Sequence, residues 1–345
     1  MGAWQRALVM GALLLPLAAC RPAEARKKSK RPPAAQTSAP APLLTFAPPC
    51  PAPVVAATGR ASDPRLAELS GVAASRRLAD VLWIHNDSGN KARVYAIDPS
   101  GRRLASWRLR KVPSEDWEDI AIGPCGVESE AAAESCIYLA DTGDNFGNRK
   151  EIHILRWPEP HALPLPGADD TLKVKGEVEV FAFALPTGPA DIEAMAVLPD
   201  SRVLLFTKRN DATSYVFRVS LTAPSQVEAL GVLALRDGEA DRGEALRVTA
   251  ADLHPDGRSL LLRTYGRVLQ ADLGGLLAGP ASAVQQGLRT VQWRHWPQPD
   301  EPHGEAIAWA QDGGLWLLSD MKLPQIWHVG CQTPTLPAGQ TAVSR

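Results

Sequence analysis

From Leu69 onward the chain repeats one pattern of apolar and polar positions. A short segment rich in small residues leads: Leu69–Ala73, Trp117–Ala121, Ile192–Ala196, Val248–Asp252 and Gly304–Ala308. An apolar run follows: Val81–Ile84, Cys136–Leu139, Val203–Phe206, Leu260–Leu262 and Leu315–Leu318. A third, alternating segment comes next: Arg93–Ile97, Glu151–Leu155, Tyr215–Val219, Val268–Asp272 and Gln325–His328. Turn residues such as Leu198-Pro199-Asp200-Ser201 and His254-Pro255-Asp256-Gly257 separate the first two in several repeats, as hairpins require. Fourth strands are readable at 103–108, 177–185, 227–235 and 291–296. No segment keeps an apolar face at helical spacing for three turns.

Repeated units of four antiparallel strands predict an all-β chain folded as a β-propeller, with five four-stranded blades favoured. A sixth blade is accommodated if a degenerate one hides around 158–190 or 228–247. A β-sandwich would not explain the same strand order recurring in five repeats that start roughly 50–75 residues apart. Residues 54–58 are placed to supply the missing last strand and close the ring.

The remainder divides the chain into four parts. Residues 1–19 read as a signal peptide, with Arg6 before an apolar run from Ala7 to Ala19 that is too short to span a bilayer. It ends in Leu17-Ala18-Ala19-Cys20, which resembles a bacterial lipobox, so Cys20 is the expected lipidation site and first mature residue. Several acyl chains anchor stably at about 0.8 kcal/mol per buried CH₂. Arg21 after the Cys points to the outer membrane of a bacterial envelope, periplasmic or surface face. Residues 20–53 read as a disordered linker, basic at first and then Pro/Ala-rich; 54–331 is the propeller and 332–345 a flexible tail.

Charge sharpens this division. The chain is net −1, but its first 31 residues hold seven Lys/Arg and one Glu, which leaves −7 on the rest. A globular part of that sign is a poor polyanion binder, so nucleic acid is not expected as a partner. The expected partners are the membrane, through the lipid, and a ligand or protein at the propeller mouth. A monomer is expected.

Besides Cys20 there are four cysteines, an even number in an exported chain. Cys125 and Cys136 flank a polar insert between two strand-like segments. Cys50 and Cys331 then sit at the two ends of the globular region. Pairs Cys125–Cys136 and Cys50–Cys331 are expected, the second clamping the ends of the ring together.

Alignment of the repeats yields two matched positions where chemistry concentrates. The first is Ser70, Glu118, Glu193, Thr249 and Glu305; the second is Asp87, Asp141, Lys208, Tyr265 and Asp320. Clustered carboxylates desolvate and repel one another, so they call for a cation or shared protons. Oxygen-only ligands suit Ca²⁺, or Mg²⁺ with waters completing its shell. The alternative is structural: the acids cap strand ends and pair with Lys208, Arg209 or Lys322. His85, beside Asn86-Asp87, is the histidine placed for acid–base work, with Glu118 as the axial acid. There is no G-x-S-x-G elbow, P-loop, dinucleotide fingerprint or H-E-x-x-H motif.

The stretches Glu68-Leu-Ser-Gly-Val-Ala, Trp83-Ile-His-Asn-Asp-Ser-Gly, Asp116-Trp-Glu-Asp-Ile-Ala, Ala140-Asp-Thr-Gly-Asp-Asn and Gly304-Glu-Ala-Ile-Ala carry a resemblance. Over about residues 65–330 the chain resembles bacterial propeller proteins related to the phytase-like esterase and SMP-30/gluconolactonase propellers. That resemblance implies a divalent cation on axial acids, and Glu118, Glu193, Glu305 and Asp320 are the matching positions. Ser70 and Thr249 depart from it. The expected function is ligand or partner binding at an acidic, Ca²⁺-occupied mouth. A cation-dependent hydrolase of phosphoesters, esters or lactones is the alternative, and a glycosidase using an Asp/Glu pair a lesser one.

Overall fold

The computed structural model describes residues 42–127, 134–164, 171–174, 178–222, 225–236 and 243–331. The expected signal peptide, Cys20, the basic stretch and the expected tail after Cys331 lie outside the described residues. Strand β1 (Val54–Arg60) precedes blade 1, which contains β2 (Leu69–Ala74), β3 (Leu82–Asn86), β4 (Arg93–Ile97) and β5 (Arg103–Leu109). Blade 2 contains β6 (Trp117–Pro124), β7 (Ser135–Asp141), β8 (Ile152–Pro158) and, after the short β9 (Thr171–Val174), β10 (Glu179–Phe183). Blade 3 runs β11 (Ile192–Val197), β12 (Val203–Thr207), β13 (Thr213–Ser220) and β14 (Gln226–Ala234). Blade 4 has β15 (Val248–Leu253), β16 (Ser259–Thr264), β17 (Arg267–Asp272) and β18 (Arg294–His295), with helix α1 (Ala281–Leu288) between the last two. Blade 5 has β19 (Gly304–Trp309), β20 (Leu315–Ser319), β21 (Gln325–Gly330) and β1 as its outermost strand.

Among the described residues the blades number five, and no sixth hides in the intervals. Residues 171–174 form a parallel edge strand against β5 rather than a blade of their own. The inner strands β2, β6, β11, β15 and β19 contact one another in cyclic order, which closes the ring. Closure is by β1, antiparallel to β21 from Val54 opposite Gly330 to Arg60 opposite Gln325. The Cys125–Cys136 disulfide joins the ends of the β6–β7 insert, and Cys50–Cys331 lies at the seam between β1 and β21. The seam bridge spans nearly the whole globular chain, and closing a loop that long removes about 5 kcal/mol of unfolded-state entropy on the chain-entropy model.

The core is five apolar layers, one in each gap between blades. Trp83, Trp107 and Trp117 fill the gap between blades 1 and 2, Met195 and Phe217 help fill that between 2 and 3, and Trp296 and Trp309 lie between 4 and 5. A blade packed on both faces needs apolar residues at every position, which is why the second strands read as unbroken runs such as Val203-Leu204-Leu205-Phe206. Burying this area at roughly 25 cal/mol per Å² is the main force holding the blades together.

The expected linker differs in its described part. Residues 42–53 lie across the end of the ring opposite the start of the inner strands. Leu44 N donates to Arg76 O, Ala47 N to Gln311 O and Cys50 N to Gly313 O, at 2.7, 2.7 and 2.8 Å. Pro and Ala carry no apolar periodicity, so composition reads this segment as a free stalk. Backbone donors, Phe46 against His254 and the disulfide hold it instead. No helix among the described residues is long and apolar enough to cross a membrane.

Candidate cation site at the mouth of the ring

Each inner strand carries a β-bulge at its start. The pairing skips one residue between Leu69 and Gly71, Trp117 and Asp119, Ile192 and Ala194, Val248 and Ala250, and Gly304 and Ala306. The skipped residues are Ser70, Glu118, Glu193, Thr249 and Glu305, the matched position read from sequence. A bulge leaves its extra residue unpaired and re-aims its side chain. Five bulges at one level of a closed ring therefore turn five side chains toward the mouth.

Two more rings complete the mouth. The residue after each second strand donates its N–H to the residue two before each bulge: Asp87 to Glu68, Thr142 to Asp116, Lys208 to Asp191, Tyr265 to Arg247 and Asp320 to His303. This corrects the expected alignment in blade 2, where the equivalent residue is Thr142 and not Asp141. Asp141 instead pairs opposite Trp117 as the last residue of its strand. Its Oδ1 accepts Glu115 N and Asp116 N, and its Oδ2 accepts Arg149 Nη2 at 3.1 Å. Asp141 is thus fully engaged below the mouth. The Asp141–Asn145 run is likewise knit by its own backbone, with Asp144 accepting from Asn148 N and Arg149 N.

The corrected register also brings in two acids that alignment of the repeats omits, Asp116 and Asp191. Their signal is an acid two places before the bulge glutamate, in Asp116-Trp117-Glu118 and Asp191-Ile192-Glu193.

The acids divide into two neighbouring groups. One oxygen each from Asp87, Asp116 and Glu118 lie within 4.8 Å of one another, and the same holds for Glu118, Asp191 and Glu193. Glu118 belongs to both. It is only 4% exposed, and among the described residues no hydrogen-bond donor reaches its carboxylate. Burial, then the charges of Glu193, Asp87, Asp116 and Asp191, push its pKa well above the ordinary value. Burial pushes Asp87 up to about 6, with Asp116 and Asp320 adding to it.

Across the mouth the balance differs. Lys208 Nζ lies 3.0 Å from Glu193 Oε1 and 5.2 Å from the centre of the Tyr265 ring. Glu305 hydrogen-bonds Tyr265 and feels the Lys208 charge. Burial still pushes Glu193 and Glu305 up to about 8, because one ammonium does not offset desolvation and the remaining acids. Glu305 and Asp320 therefore face Lys208 and His303 and belong to neither three-acid group. Ser70 and Thr249, where the ring has no acid, donate to the next blade at Glu118 O and Gly304 O, each at 2.7 Å.

His85 is not brought to this mouth. It is fully buried between blades 1 and 2, edge-on to Trp117, and a Cβ at Gly71 would stand 2.4 Å from its Nε2. Burial depresses its pKa to about 4. A cavity of about 710 Å³ lies elsewhere, at the seam of blades 1 and 5, lined by Trp316, His328, Asp98 and Arg102 among others. It touches none of the mouth acids, and the charge arrangement rather than cavity size locates the candidate site.

No family profile matches the chain, and no curated protein matches it. Among solved structures it is similar to the PQQ-bound aldose sugar dehydrogenase of Streptomyces coelicolor, at 12% identity and a TM-score of 0.42, covering 82% of this chain and 99% of that one. It is similar to streptogramin B lyase at 12% identity and a TM-score of 0.38, covering 81% and 97%. The apo-form aldose sugar dehydrogenase of Escherichia coli is 10% identical with a TM-score of 0.37, covering 81% and 100%. Likeness at this level says nothing of the chemistry at the mouth.

Proposed function

We propose that the chain is a lipid-anchored propeller of the bacterial envelope that binds a hard divalent cation, calcium first, among the acids of its mouth, and through it an oxygen-rich ligand or partner. One observation carries the reading. Glu118 is a buried carboxylate with no donor among the described residues, set within 4.8 Å of acids on both sides. An arrangement of that kind is costly unless a cation or protons neutralise it. The donor set is all oxygen, which favours calcium or magnesium over softer metals. Asp87, Asp116, Glu118, Asp191 and Glu193 would hold the cation, which when bound supplies positive charge that attracts ligand oxygens.

Thermal unfolding of the full-length protein, stripped with EDTA and titrated with Ca²⁺ or Mg²⁺, tests the reading. Ca²⁺ is expected to raise the Tm, by the equivalent of about 2.7 kcal/mol at a hundredfold excess over Kd. Glu118→Gln is expected to remove most of that rise. A wild-type Tm that does not respond to millimolar Ca²⁺ overturns the proposal.

A further inference from the structure

We infer that the mouth holds two divalent cations, with the Glu118 carboxylate bridging them. The inference rests on the cation-binding reading above and adds its stoichiometry and ligand assignment. Oxygens bound to one Ca²⁺ at ~2.3–2.6 Å lie at most about 5 Å apart. Asp87, Asp116 and Glu118 satisfy that spacing as a trio, and Glu118, Asp191 and Glu193 satisfy it as a second. The trios draw on different blades. Asp87 comes from blade 1, Asp116 and Glu118 from blade 2 or its approach, and Asp191 and Glu193 from blade 3 or its approach. They have only Glu118 in common, and a carboxylate has two oxygens and about four lone-pair directions with which to serve an ion on either side.

Two further observations point to a bridge. The Glu118 carboxylate is buried and has no donor among the described residues, so both of its oxygens are uncommitted. The backbone beside it is kept bare: a Cβ at Gly143 would stand 2.0 Å from Glu118 Oε1 and 2.5 Å from Asp116 Oδ2. Charge agrees with the count. The five acids of the two trios carry five negative charges when ionised, so one divalent ion leaves most of them uncompensated and two nearly balance them. Lys208 sits on Glu193 alone among these five, 3.0 Å away, so it competes only for the second trio. The ion on Asp87, Asp116 and Glu118 therefore binds first, and the ion that must share Glu193 with Lys208 binds second.

The test counts ions on the EDTA-stripped full-length protein. Calorimetric titration with Ca²⁺ is expected to show two ions per chain, bound in two steps. Asp116→Asn and Asp191→Asn are each expected to retain one, and Glu118→Gln neither, with unchanged circular dichroism. Loaded with Mn²⁺, the wild type is expected to show the broadened electron paramagnetic resonance of two coupled ions. One ion per chain overturns the bridge and leaves the cation reading standing; none overturns both. Two ions that survive Glu118→Gln, or two uncoupled Mn²⁺ signals, overturn the sharing. If Glu118→Gln does not fold, the wild-type Mn²⁺ spectrum decides.

Discussion

Glu118 and Asp119 are adjacent in the chain and both are buried, yet they belong to two differently built layers of the ring. Asp119 lies one step below the mouth. Its Oδ1 accepts Ile120 N at 2.8 Å, and its Oδ2 accepts Met195 N at 2.8 Å and Ala251 N at 3.1 Å. One carboxylate thus ties blades 2, 3 and 4 together on the axis. Asp252 does the same between blades 4 and 5 by accepting Trp309 N at 2.8 Å. In the mouth layer above, the Glu118 backbone oxygen accepts Ser70 Oγ, but its carboxylate accepts nothing among the described residues. The same residue chemistry is saturated in one layer and unsatisfied in the other. A buried acid surrounded by N–H groups belongs to the architecture, whereas one surrounded by other acids is the one the proposed cation would neutralise.

The largest effect should separate the layers outright. Asp119→Ala strands three buried N–H groups, each worth about 1–3 kcal/mol, so a loss of at least about 3 kcal/mol in stability is expected from urea unfolding. In EDTA, Glu118→Gln should be neutral or stabilising, because it removes a repelled charge and breaks no hydrogen bond. If Glu118→Gln costs as much as Asp119→Ala, the division between layers fails.

A second, smaller effect should appear with pH. Glu193 and Glu305 have ordinary values near 4.5 and stand at about 8 in the folded chain. Between those values the folded state holds protons that the unfolded state has released, so stability falls as pH rises through the window. Melts in EDTA should therefore drop in Tm from about pH 5 to about pH 8. Saturating Ca²⁺ should flatten the decline by replacing protons with a cation, and Glu193→Gln with Glu305→Gln should flatten it without calcium. A Tm that rises with pH in EDTA would show that these carboxyls are already stabilised as anions.

Much of this layout is legible in the amino-acid pattern. Strand order recurs because each blade buries both faces, and that leaves an apolar rhythm along the chain. The bulge position is legible too, since Glu118, Glu193 and Glu305 break otherwise apolar strands. Register is not. Asp141 and Thr142 are neighbours in an acidic run, and only the pairing of Trp117 with Asp141 decides which of them reaches the mouth. Asp116 and Asp191 precede their strands, where pattern offers no frame, and the bond from each following strand places them. Residues 42–53 are held chiefly through backbone, which leaves no side-chain signature.

The smallest effect probes the two ring positions that carry no acid. Thr249 and Ser70 occupy the same bulge as Glu118, yet each donates its hydroxyl to a carbonyl of the next blade. They do at the mouth what Asp119 does below it. Thr249→Val keeps the shape and removes one hydrogen bond, so a cost of about 1 kcal/mol is expected, with the calcium-induced rise in Tm intact. Glu118, at the same position, should show the opposite pattern, little cost in EDTA and a lost calcium response. If Thr249→Val also abolished that response, the ring would act as one cooperative unit, and the division between structural hydroxyls and ligand-seeking acids would have to be withdrawn.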